Sequence, residues 1–144
     1  MSDQRLWDEI EKLKKKSDRL KTQEGGVWTA WTPTFGGFSV DPSDVVARYF
    51  RVGGFCYVSV YMGTAGTSNA AGFTMSAPLT SKSVTGAMIW YNSLAYYQDN
   101  GVVTRGGGIV RILESSATFT LYSTTSVWVT SGNKMAFFQI AYEV

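Results

Sequence analysis

The stretch VVARYFRVGGFCYVSVYM, residues 45–62, decides the fold class. Two runs rich in β-branched and aromatic residues flank Gly53-Gly54, which is the pattern of a hairpin. Alternation along the second run puts Cys56, Val58, Val60 and Met62 on one face and Phe55, Tyr57, Ser59 and Tyr61 on the other, so one face is core and the other aromatic. The same texture continues on both sides. It predicts strands at 27–32, closed by Pro33, and at 35–40 with a kink at Gly36-Gly37, followed by a turn at Asp41-Pro42-Ser43-Asp44. Further strands are expected at 72–76, 84–91, 94–98, 107–114, 117–123, 127–130 and 134–143. Residues 66–72 read as an exposed loop of small polar side chains, and Asp99-Asn100-Gly101 as a hairpin turn. Short strands separated by turn residues at regular intervals point to an antiparallel sandwich or barrel.

Upstream of Gly25-Gly26 the pattern is different. The first 24 residues carry 13 of the 24 charged side chains, and Leu6, Ile10, Leu13, Ser17 and Leu20 recur at spacings of four and three. That spacing places them on one coiled-coil seam. Acids lead and bases trail, as the helix dipole prefers, and Asp8 to Lys12 and Glu11 to Lys15 form favourable four-residue pairs. The expected domains are a coiled-coil helix over 1–24 and a β head over 25–144. A helix this short is marginal alone, so the head must supply most of the association. Isoleucine at one seam position and leucine at the others slightly favours two strands over three, and the helix does not settle the number. The plainer alternative is an amphipathic helix packed on its own β domain.

The β part has only 11 charges in 120 residues, about 9%, against roughly 25% for an average soluble domain. Either Ser and Thr supply its polar surface or much of the outside is covered by identical neighbours, with Tyr57 and Tyr61 as the natural contact. A net charge of +2 gives no basic excess for nucleic acid. The amino terminus is polar, with no signal peptide expected, and no apolar run reaches the ~18 residues of a membrane span. Cys56, the only cysteine, is expected to be a buried, inert thiol. Arg48 and Arg51 need Asp41, Asp44 or Glu114 if buried; otherwise they are two exposed strand charges.

Catalytic chemistry has little to work with. The chain has no histidine, so the commonest base and metal ligand is missing, and Cys56 has no imidazole to activate it. The carboxylates of the β part, Asp41, Asp44, Asp99, Glu114 and Glu143, fall at turns or near the end of the chain rather than as a hydrolytic pair. Two carboxylates at Asp41 and Asp44 fall short of the six to eight oxygens calcium prefers. No catalytic residue, metal site or cofactor is expected, and the chain is read as a non-enzyme.

Several motifs converge on a known family. WTPTF at 31–35, ARYFRVGG at 47–54, GTSNAAGFT at 66–74 leading to Pro78, and Trp128 ahead of SGNK at 131–134 and a Tyr142-Glu143 strand together resemble the C-terminal β domain of bacteriophage tail and fibre proteins. The resemblance spans residues 27–144. It implies a mainly β chain: an antiparallel jelly-roll-like β-sandwich behind a short α-helix that forms a parallel trimeric coiled coil. It also implies a virion protein, a tail or surface fibre component made in the host cytoplasm. Its partners would be itself as a homotrimer, other virion proteins and a host surface glycan, with no nucleic acid and no membrane insertion.

Recognition by surface remains. Trp90-Tyr91-Asn92 and Tyr96-Tyr97 with Asp99 place aromatics beside an amide and a carboxylate near turns, the combination that stacks on a sugar face and bonds its hydroxyls. The competing reading puts these aromatics in core and interface. The expected assembly residues are Leu6, Ile10, Leu13 and Leu20 in the helix, with Tyr57 and Tyr61 in the head.

Overall fold

A computed structural model describes residues 3–23, 26–83, 90–123 and 128–144. Among the described residues one helix, α1 (Asp3–Gln23), precedes strands β1 (Thr29–Ala30), β2 (Phe35–Gly36), β3 (Phe38–Val40), β4 (Ser43–Val52), β5 (Phe55–Thr64), β6 (Gly66–Ser68), β7 (Phe73–Ser76), β8 (Trp90–Asp99), β9 (Val102–Leu113), β10 (Thr118–Ser123) and β11 (Gly132–Glu143). The strands join in one antiparallel sheet in the order β1-β4-β5-β11-β8-β9-β10-β7-β2, with β6 pairing both β11 and β3. No helix among the described residues is long and apolar enough to cross a membrane.

Local chemistry accounts for the two tightest hairpins. Val52 pairs with Phe55 across Gly53-Gly54, and Gly53 takes φ +56°, the positive value both favoured two-residue turns demand at their first central position. Asp99 pairs with Val102 across Asn100 (φ +48°) and Gly101 (φ +80°), the two left-handed residues of a type I′ turn.

Bends then curl the sheet. The 43–64 hairpin continues past Pro42 and Ala65 as the β3–β6 pair, and a side chain at Gly66 would lie 2.7 Å from the Pro42 ring and from Phe38. Asp44 takes a left-handed φ of +53° within an unbroken register, Ser43 facing Thr64 and Val45 facing Met62, and its carboxylate accepts from Thr64 Oγ1 at 2.7 Å. The curl brings the two free edges to one short segment. β1 lies along β4 at one edge and β2 along β7 at the other, so residues 31–34 strap the edges together. Trp31 donates its amide to Ala47 O at 3.1 Å and its indole N–H to Ser76 O, while Ser76 donates to Thr34 O at 2.9 Å.

The concave face is the core. It takes Cys56, Val58, Val60 and Met62 from β5, Ala136, Phe138, Ile140 and Tyr142 from β11, Val110 and Ile112 from β9, Phe119 and Leu121 from β10, and Phe73 and Met75 from β7. Burying each large apolar side chain contributes about 1.5–3 kcal/mol. Phe119 meets Phe138 and Tyr142 edge to face, and the Tyr142 hydroxyl donates to Leu79 O at 2.9 Å. Burial pushes the Cys56 thiol up, with a counteracting hydrogen bond from Tyr142, and burial likewise pushes the Tyr142 phenol up. The expected buried thiol is therefore what the fold contains.

Several expected boundaries move. The first strand is only Thr29–Ala30, because the following residues form the strap. The 35–40 strand splits at Gly37 (φ +92°) into β2 and β3, which pair with different partners. The 66–72 loop begins with strand β6. The expected break between 91 and 94 is absent, since β8 runs straight through Asn92-Ser93, which pair with Arg111 and Val110 of β9. Residues 128–130 are not a strand, and the remainder of that segment, like 84–89, lies outside the described residues.

Helix α1 makes no extensive contact with the sheet, and its seam residues Leu6 and Leu13 are exposed, with Ile10 half-buried. Among the described residues its side chains show no packing on the β domain; the Leu20 side chain lies outside the described set. Gly132 (φ +89°) is the most constrained glycine, since a Cβ there would fall 2.3 Å from Asn100 Oδ1. Gly132→Ala is expected to cost about 2 kcal/mol or more, from left-handed strain plus displacement of the Asn100 turn, read as a lowered urea midpoint.

Candidate recognition surface

The pleat determines which side chains share the convex face. From β4 across to β8 the register forms rows: Val46, Tyr61, Phe137 and Tyr96; then Arg48, Ser59 and Gln139; then Phe50, Tyr57 and Ala141. Leu94 and Asn92 point the same way on β8, opposite Ile109 and Arg111 of β9. Phe137 is the hub of the first row, with ring centroids 4.7 Å from Tyr61 and 5.1 Å from Tyr96. Tyr61 is 50% and Leu94 69% exposed, so this is a bare apolar surface on a sheet whose other face is full.

Two shallow clefts mark it. One, of about 420 Å³, lies over the first row between Tyr61, Phe137 and Leu94. The other, of about 450 Å³, is lined by Trp28, Phe50, Tyr57, Asn92, Ser93 and Gln139 among others. There Phe50 and Tyr57 stack in parallel at 4.8 Å and 7°, Trp28 meets Phe50 edge to face at 4.6 Å, and the Arg48 guanidinium lies 4.9 Å over the Trp28 ring. Aromatic faces therefore adjoin two amides in one depression, with a cation at its rim.

The structure divides the residues expected from sequence. Tyr57 and Tyr61 lie on the convex face and are exposed, as do Asn92 and, half-exposed, Tyr96. Tyr97 is a correction: it is 1% exposed, its ring 4.8 Å from Trp128 and its hydroxyl 3.2 Å from Ser123 Oγ, so it has no face for a sugar. Tyr91 turns to the core beside Tyr142. Asp99 is also corrected, because its carboxylate is held inside by Lys134 Nζ at 2.9 Å and by the Val129 amide at 3.0 Å. The Trp90 side chain lies outside the described residues. Arg48 and Arg51 are exposed, and Arg51 donates to Gly53 O at 3.1 Å, so neither uses Asp41, Asp44 or Glu114.

Sequence reasoning missed Lys134. Its side chain is fully buried, pairing with Asp99 and donating to Ser68 Oγ at 2.7 Å and to Val129 O, with the Trp128 ring 6.0 Å away. Parity could have found it, since 134, 136, 138, 140 and 142 all point inward. Gln139 and Phe50 were legible by the same parity, one step out of phase. Among the described residues no three His, Cys, Asp or Glu side chains gather as a metal site. No protein-family model, curated protein or solved structure matches the chain.

Proposed function

We propose that the chain is a bacteriophage virion protein, a trimeric tail-fibre or fibre-tip module that holds a host cell-surface saccharide without catalysis. The observation that carries this reading is the bare convex face: Val46, Tyr61, Phe137, Tyr96 and Leu94 form an apolar patch beside a depression of aromatics and amides. The patch suits contact between identical copies, and the depression suits a sugar. The resemblance of the 31–35, 47–54 and 66–74 motifs to phage fibre domains supports the virion setting. In this proposal the curled sheet serves as a jelly-roll-like sandwich, and α1 adds a parallel three-stranded coil through Leu6, Ile10, Leu13 and Leu20. Weak sugar sites repeated on three linked copies gain avidity with no new contact.

Trp7 supports a second reading, a head fibre, decoration or tail-assembly subunit. It is 62% exposed on α1, next to the seam residue Leu6, and suits docking to another virion protein. Removing residues 1–24 separates the two. The expected result is that the truncated head remains associated in light scattering and keeps its binding to host cells while losing attachment to the virion. Absence of cell or glycan binding by the intact protein would leave the structural role standing.

A further inference from the structure

We infer that the Trp28–Tyr57–Asn92 depression is a subsite for an acidic sugar, one bearing a carboxylate. This deepens the adhesion reading and rests on it. A neutral-sugar site requires only aromatic faces and amides, and both are present. Phe50 covers one face of the Tyr57 ring, while Ala141, the small residue opposite Tyr57 in register, adjoins the same cleft. The Asn92 and Gln139 side chains supply both donors and acceptors at its wall. What goes beyond neutral recognition is the charge at the rim.

Arg48 is exposed and lies over Trp28, which holds the guanidinium plane against an indole ring. Among the described residues no carboxylate comes within ion-pairing distance of it. No acid lines the cleft. In a β domain this poor in charge, the Arg48 guanidinium at the rim of an aromatic and amide depression favours an anionic ligand, and the planar fork of arginine matches a carboxylate.

The test uses the full-length chain on an array of oligosaccharides in matched pairs, each uronic-acid-containing sugar beside its carboxyl-reduced neutral counterpart, with phosphorylated sugars as a third arm. The expected result is retention on the uronates at least about tenfold above their reduced partners, with Arg48→Gln erasing that ratio while the mass in solution stays unchanged. Equal binding within pairs, or binding confined to the phosphorylated arm, overturns the carboxylate assignment and leaves adhesion intact. No binding in any arm overturns both. Dissociation of the assembly by Arg48→Gln also overturns the assignment, because the depression is then part of a subunit contact.

Discussion

Lys134→Met is expected to lower stability by about 3–5 kcal/mol, because it leaves the Asp99 carboxylate enclosed without its counter-charge. The ammonium is fully buried and also satisfies Ser68 Oγ and the Val129 carbonyl, so the methionine variant leaves two further acceptors without their donor. These groups come from the β6 end, the β8–β9 turn and the 128–131 segment, so one side chain pins three parts of the sheet's rim. Denaturant unfolding at a fixed protomer concentration reads the loss. Lys134→Met combined with Asp99→Leu is expected to recover most of it, since neither charge is then enclosed. A single-variant loss under about 1 kcal/mol would mean that water reaches the ammonium.

Tyr61→Ser combined with Phe137→Ser is expected to convert the proposed trimer into 15.8 kDa monomers with an unchanged far-ultraviolet circular dichroism spectrum. Tyr61 is half exposed and both side chains lie on the convex face, so little of the core depends on them. Central aromatics at such contacts are worth about 2 kcal/mol or more each, and losing two weakens association by roughly a thousandfold. Light scattering at micromolar concentration checks the mass. An assembly that persists places the contact on another surface; a lost spectrum means that Phe137 is needed for the fold.

What was legible in the sequence was local. Alternation in 55–62 identified β5 and its inward set, because a half-buried strand imposes a period of two, and the β-branched and aromatic texture located β4 and β11. Gly53-Gly54 and Asn100-Gly101 announced their hairpins, because few residues tolerate positive φ. Asn92-Ser93 misled, since turn propensity yields to the long pairing of β8 with β9. The candidate site was half visible: Asn92 and Tyr96 were found, but Tyr91, Tyr97 and Asp99 lie on the opposite side of the pleat. Trp28 and Arg48 reach the depression from strands distant in sequence, and the strap at 31–34 joins edges that no local signal relates.

The position of β11 between β5 and β8 governs how the molecule is made. A ribosome delivers it after every other described strand, yet both halves of the sheet are bonded through it. Until then β5 and β8 each present an open edge, and neither half has its full complement of partners. Closure therefore waits on residues 132–143, and a nascent chain carries sticky, unpaired backbone through most of its synthesis. Cellular yield should consequently be more sensitive to substitutions that slow β11 docking than to changes of equal thermodynamic cost at the strap.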